Sequence, residues 1–320
     1  MVLLLAACQS DQNISRNTHT DVFWQEPASA VDILWVIDDS NSMAEEQARV
    51  ADGFESFILS IEETNIDFQL GVITTDMDLD NEQRAQLLGN PRVLTADDNY
   101  VQQFKNLVQV GTDGSDKEKG LSAALEALSE PMISGDNIGF LRDDAILSII
   151  FVSDENDCSD DEALSGEPST ACYEEAERLI PITEFIYNFR GLKGPSGMRV
   201  LASAIIGPKV ADGCEGSWPG HRYAALAEGL GGKVGNICDD DYGGLMYDLG
   251  LAVSGELSTF QLSYAAVIDS IEVYVDDDLI EEDPDEGWTY DSEYWILRFD
   301  GDYVPERGTQ VSVAYEVASG

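Results

Sequence analysis

The chain holds 320 residues with 17 Lys+Arg against 62 Asp+Glu, a formal net charge of −45, and 43% of it is hydrophobic. At a soft prior of roughly 150 residues per domain this length fits about two domains with real cores, and the apolar fraction argues against an intrinsically disordered chain. A surface this acidic repels phosphate backbones and anionic headgroups, so nucleic acid and polybasic membrane contacts are disfavoured. Divalent cations, basic partners, salty surroundings or plain solubility suit it.

No stretch reaches the roughly 18 consecutive apolar residues that span a bilayer. The N-terminus reads MVLLLAAC, and the run Val2 to Ala7 before Cys8 resembles a bacterial lipobox, although no Lys or Arg precedes it. The resemblance implies that residues 1–8 are a lipoprotein signal segment and that Cys8 becomes the lipid-modified first residue. The mature protein would then be held at the bacterial cell envelope by acyl chains, its sole contact with a membrane. Gln9 after the cysteine points to the outer membrane. Residues 9–29 are polar and unpatterned and are read as a tether.

Val31 to Ile37 is a near-continuous apolar run, as expected of a strand buried on both faces. Met43 to Glu63 has helical spacing, with Val50, Phe54, Phe57, Ile58 and Ile61 on one side. Phe68 to Ile73 gives a second strand. Asp116 to Leu128 places Leu121, Ala124, Leu125 and Leu128 at i, i+3, i+4 and i+7 of a helix. Ala145 to Ser153 and Arg199 to Gly207 are further buried strands, and between them Tyr173 to Phe189 reads as a helix kinked or restarted at Pro181. Ala224 to Leu230 and Tyr242 to Val253 supply the last helices. Strands alternating with helices predict an α/β fold, a doubly wound, mainly parallel sheet over residues 30–254. The pattern stops near Gly255. Ser270 to Val275, Tyr294 to Phe299 and Gln310 to Val317 predict a small antiparallel β module over residues 255–320, with Trp288, Tyr290, Tyr294 and Trp295 read as core residues and a carbohydrate platform as the alternative.

With Cys8 set aside, Cys158, Cys172, Cys214 and Cys238 permit three pairings. Cys158–Cys172 and Cys214–Cys238 are favoured because each closes one local loop. No C-x-x-C pair is present, which disfavours zinc, and an oxidising periplasm favours disulfides.

The first buried strand ends in Asp38-Asp39-Ser40-Asn41-Ser42, a D-x-S-x-S motif. In open α/β sheets ligands bind at the carboxyl ends of the strands, where this loop lies. Carboxylate and hydroxyl oxygens are hard ligands suited to Mg²⁺, Mn²⁺ or Ca²⁺. The strand ILSIIFVS delivers Asp154 to the same edge, and Gly111-Thr112-Asp113-Gly114-Ser115 precedes the helix beginning GLSAAL. Together these residues resemble the von Willebrand factor type A domain, with its metal-ion-dependent adhesion site. The resemblance implies a Rossmann-like fold in which Ser40 and Ser42 ligate the metal, Asp38 and Asp154 hold it directly or through water, and Thr112 supplies a further oxygen. Thr112 lies eight residues before Gly120, where the family usually shows about four, so Ser115 and Asp116 stand as alternatives. The family implies a binding module rather than an enzyme. Its ligand is a protein that offers an acidic side chain to Mg²⁺ or Ca²⁺. An envelope scaffold with a degenerate site is the alternative.

Other constellations are weaker. Asp76 and Asp78 begin a D-x-D-x-D calcium-loop pattern, but Asn81 and Leu87 at its sixth and twelfth positions exclude an EF-hand. Both aspartates are kept as candidate additional metal ligands beside a solvated-loop reading. The only histidines are His19 and His221. No nucleophile elbow, Walker loop or dinucleotide fingerprint accompanies them, which leaves a hydrolase as a third reading.

Overall fold

The protein was analysed as a computed structural model, which describes residues 17–24, 30–62, 66–79, 81–96, 99–194, 200–209, 214, 216–253, 259–284, 286–299, 305 and 308–318. Cys8 and the rest of the 1–8 segment lie outside the described residues.

In chain order the elements begin with β1 (Thr18–Trp24), β2 (Ala30–Ile37), α1 (Ala44–Glu62), β3 (Asp67–Thr74), β4 (Leu94–Thr95), α2 (Tyr100–Leu107) and α3 (Gly120–Ala127). There follow β5 (Ile146–Ser153), α4 (Ala171–Glu174), α5 (Ile182–Gly191), β6 (Val200–Ile206), α6 (His221–Gly229), β7 (Val234–Asn236) and α7 (Gly243–Val253). The C-terminal part adds β8 (Thr259–Gln261), β9 (Glu272–Val275), β10 (Asp278–Ile280), β11 (Trp288–Asp291), β12 (Ile296–Phe299) and β13 (Gln310–Glu316).

The larger sheet has six strands in the order β4-β3-β2-β5-β6-β7, parallel except for β4. Every residue of β2 and of β5 is buried, which is why both segments are largely apolar without alternation; the one charged residue, Asp32, is paired with Arg142 (2.7 Å). The two faces feed separate cores. Val31, Ile33, Trp35 and Ile37 of β2 join the core built with α1 and α7, whereas Leu34 and Val36 join the core built with α3, α5 and α6. Phe54 stacks on Phe104 of α2 at 3.7 Å between ring centroids, and Trp35 meets both Phe57 and Phe104 edge-on. At Gly250 of α7 a Cβ would collide with the Ser60 hydroxyl, so a glycine is what lets α7 lie against α1.

The expected Tyr173 to Phe189 helix is broken into α4, a 3₁₀ turn at Ala176–Arg178, and α5, whose N-cap is Pro181. The helix expected from Asp116 starts only at Gly120, which leaves 116–119 as loop.

The tether reading of 9–29 needs correction. Residues 18–24 form β1, which pairs antiparallel with β13 from Thr18↔Glu316 to Trp24↔Gln310. Asp21 inside it is 7% exposed and accepts hydrogen bonds from Ser263 N (2.8 Å), Ser263 Oγ (2.6 Å) and Tyr315 OH (2.7 Å). The C-terminal module is therefore two antiparallel sheets, β1-β13-β9-β10 and β11-β12-β8, that share one core. Phe23, Val273, Val311, Val313 and Tyr315 enter that core from the first sheet, and Phe260, Trp288, Leu297 and Phe299 from the second. Of the aromatics expected there, Trp288 is buried and Tyr290 packs on it, but Tyr294 packs on the larger domain and Trp295 is 40% exposed.

Among the described residues no helix is long and apolar enough to cross a membrane. The disulfides are Cys158–Cys172 and Cys214–Cys238, the two local pairings expected.

Candidate cation site

Going from β2 to β3 the chain moves to one side of β2, and β5 takes the other, so β2 is a switch point of the sheet. The crevice at such a point opens at the carboxyl ends of its strands. Asp38 follows β2 directly and Asp154 follows β5, so the topology brings them to one edge.

Asp38 is fully buried. Its N–H continues the ladder to Val152 O (2.9 Å), Oδ1 accepts from Ser40 N (2.8 Å), and Oδ2 accepts from Ser153 Oγ (2.6 Å). Ser40 is buried too, Ser42 is exposed, and their hydroxyls lie 3.3 Å apart. The Ser42 hydroxyl also bonds the Asp154 carboxylate. The loop after β2 and the end of β5 are thereby joined through the groups expected to converge: Asp38, Ser40, Ser42 and Asp154. Gln47 on the first turns of α1 fixes a third segment, donating to Asp38 O (2.9 Å) and Gly111 O (2.8 Å) while accepting from Gly111 N (3.3 Å).

Burial pushes Asp38 up to about 6, against the pull of the Ser153 and Ser40 hydrogen bonds. Burial, then the facing Asp38 carboxylate, pushes Asp154 up to about 7. Glu155 is raised mainly by burial, and Glu118 is driven by burial and by Asp38 and Glu155 to about 11. Acids this close and this dry hold protons in the absence of another cation. Two of their buried carboxylate oxygens, Asp154 Oδ1 and Glu118 Oε1, accept no hydrogen bond among the described residues, while the Glu118 carboxyl is hydrogen-bonded to Glu155. A buried, unpaired Asp154 oxygen beside the Ser42 hydroxyl and the Asp38 carboxylate is of the chemistry that suits a hard divalent cation. Among the described residues no group of three or more His, Cys, Asp or Glu side chains is gathered to hold a metal. The convergent set here is two carboxylates and two hydroxyls.

The remaining candidates fall elsewhere. Thr112 is half-buried and its side chain makes no hydrogen bond among the described residues. Ser115 lines a separate recess of about 360 Å³ with Asp76, Asp78, Asn81, Glu82, Asp113 and Gly114. The Asp39 carboxyl is pushed up to about 6 by burial and by Asp76. Asp157, beside Asp154 in sequence, is structural: it accepts from Leu121 N (3.0 Å) at the start of α3 and from Arg222 Nε (3.0 Å). His221 is exposed at the start of α6, and His19 bonds Asp21 (3.1 Å), so neither reaches the crevice.

Sequence reasoning missed three groups at this edge. Glu118 sits in Lys117-Glu118-Lys119, which reads as a solvated charge run, yet it is 1% exposed. Ser153, the hydroxyl on Asp38, is hidden as the last letter of an apolar strand. Trp218 is 53% exposed at the rim; its N–H donates to Asp154 O (2.7 Å) and its ring lies 5.3 Å from that of Tyr173. Tyr173 directly follows the loop closed by Cys158–Cys172, and Trp218 lies within the loop closed by Cys214–Cys238.

No protein-family model matches the chain, and no curated protein matches it. Among solved structures it is similar to two of proximal thread matrix protein 1 from the mussel byssus. One is 16% identical with a TM-score of 0.37, covering 75% of this chain and 51% of that one. The other is 15% identical with a TM-score of 0.38, covering 78% and 50%. The chain thus spans about half the length of those structures, and a likeness this low carries no argument about function.

Proposed function

We propose that the protein is a divalent-cation-dependent protein-binding module of the von Willebrand factor A type, lipid-anchored through Cys8 at the bacterial cell envelope, and that it is not an enzyme. The observation that carries the reading is the convergence of Asp38, Ser40, Ser42 and Asp154 at the switch point of the sheet, with Asp154 Oδ1 buried and unpaired. These four would hold Mg²⁺ or Ca²⁺, with Mn²⁺ as a third candidate. Thr112, on the loop that Gln47 ties down, is the candidate for a further oxygen.

When bound, the cation supplies an open coordination position for a carboxylate from the partner. The chain itself does the rest. Ser153 and the Ser40 N–H orient Asp38, Gln47 locks the neighbouring loop, and the Trp218 N–H holds the backbone behind Asp154. Two uncharged hydroxyls leave the ion's charge less compensated than an all-carboxylate set would.

The test is an affinity pull-down from envelope extract. A partner recovered in Mg²⁺ or Ca²⁺, lost in EDTA and lost with Asp38→Ala, supports the reading. The second reading, an envelope scaffold with a non-functional metal site, is favoured by the lack of a gathered three-acid group among the described residues. A partner retained unchanged in EDTA would select it.

A further inference from the structure

We propose that the groove between α3 and α5 is a second docking surface, and that it takes an amphipathic helix of a partner protein whose apolar stripe is flanked by lysine or arginine. The inference goes beyond the cation reading and does not rest on it.

The groove has a volume of about 420 Å³ and lies on the face of the sheet that α3 and α5 cover. Its floor is apolar. Met77, after β3, and Phe185, on α5, are buried, while Leu125, on α3, and Ile180, just before α5, are half-buried. Leu79 stands on the lip at 82% exposure, more than any other large apolar side chain among the described residues. An apolar floor with a bare leucine at its edge gains by leaving water against another apolar surface. Two helices side by side, with Ser122 of α3 as a small residue on the wall, offer the kind of trough that the ridge of a third helix fills.

Charge decides what must flank that ridge. The two cations of the lining are neutralised by the chain itself: Arg84 pairs with Glu126 (2.6 Å), and Lys119 with Asp160 (2.8 Å) and Glu162 (3.5 Å). Asp161 and Glu184, both exposed on the rim, have no ion pair among the described residues. The rim therefore carries unmatched negative charge, on a chain of net charge −45. A second copy or an acidic segment is repelled there, and a basic one is drawn in.

The turn that carries the rim acids is held in place. Asp161 and Glu162 take φ of +48° and +63°, and Asp160 before them accepts from Glu162 N (3.2 Å) and Leu164 N (2.6 Å) while bound to Lys119. Two consecutive non-glycine residues in this region are costly, and here they set both side chains on the groove.

Fluorescence anisotropy with the full chain tests this, using a labelled leucine–lysine peptide of about 14 residues with leucine at i, i+3, i+4 and i+7. The wild type is expected to bind it about tenfold or more tighter than the same peptide with serine for each leucine, and not to bind the version with glutamate for each lysine. Leu79→Ser is expected to weaken binding about tenfold, and Asp161→Asn combined with Glu184→Gln about fivefold. Binding is expected to be the same with and without EDTA. Equal affinity for the leucine and serine peptides would reduce the effect to a polycation on an acidic surface and overturn the proposal. So would no binding by the wild type, loss of the peptide in EDTA, or affinity unchanged in both variants. A wild-type dimer in sedimentation that Leu79→Ser dissociates would put a second copy in the groove and overturn it as well. Circular dichroism melting checks that the variants fold. If Leu79→Ser does not, the charge variant decides, and unchanged affinity there overturns the proposal.

Discussion

Without a divalent cation, the folded protein should be less stable at neutral pH than in mild acid. The carboxyls of Asp38 and Asp154 stand at about 6 and about 7 in the fold against 3.8 for an unperturbed aspartate, burial being the main cause. Between those values the folded state holds more protons than the unfolded chain, so stability is present below them and is lost as pH rises through them. At about 1.4 kcal/mol per pH unit, Asp38 alone corresponds to about 3 kcal/mol and Asp154 to about 4 kcal/mol. The two face one another, so the values do not add, and about 4 kcal/mol is the scale for the pair. Glu118 and Glu155 are shifted in the same direction. More than a third of that is already lost by pH 5, so for a domain of this size the fall in melting temperature between about pH 5 and pH 8 in EDTA is about 5–10 °C. A divalent cation substitutes for the protons, so saturating Ca²⁺ or Mg²⁺ should remove most of the fall. Calorimetric melting across pH, with EDTA and with Ca²⁺, measures both curves. A melting temperature in EDTA that is flat or rises from about pH 5 to pH 8 would refute the reasoning.

Three further outcomes are expected. Gly207→Ala places a Cβ against the Trp218 carbonyl and the Ser217 hydroxyl, and should cost about 1–3 kcal/mol by urea unfolding while weakening cation binding, since Trp218 N–H supports Asp154. Replacing Cys158 and Cys172 together by alanine opens a loop with a sequence separation of 14 and should cost about 3 kcal/mol, read as a lower urea midpoint than in the oxidised wild type. Asp21→Ala leaves Tyr315 OH and the Ser263 donors without their acceptor. It should destabilise the C-terminal module by about 3 kcal/mol, followed by fluorescence of the buried Trp288; an unchanged transition would mean that β1 is not integral to that module.

Much of the larger sheet is legible because its strands are buried on both faces, and eight consecutive buried positions in β2 and β5 leave an apolar run that no turn interrupts. The position of Asp38, Ser40, Ser42 and Asp154 follows from those same runs, since each group sits where a strand ends. What escapes the sequence is set by distant partners. Residues 18–24 show little apolar pattern, and only pairing with residues 310–316 makes them a strand. Helix α2 buries just Tyr100 and Phe104, too few for its periodicity to stand out. Thr112 and Ser115 could not be separated from sequence, because the path of a loop decides which residue meets the crevice. Ser115 instead faces the recess of Asp76 and Asp78. Glu118 is illegible for the opposite reason. Two lysines beside it suggest a solvated pair partner, but both turn away to Leu164 and Asp160.

The central claim is that Asp38, Ser40, Ser42 and Asp154 together hold a divalent cation. Equilibrium binding of Ca²⁺ or Mg²⁺ to the EDTA-treated wild type and to Asp38→Ala tests it most directly. One cation per chain on the wild type, with affinity reduced by about a hundredfold or more in the variant, is the predicted result, equivalent to about 3 kcal/mol or more. No bound cation on the wild type, or equal binding by both proteins, would contradict it.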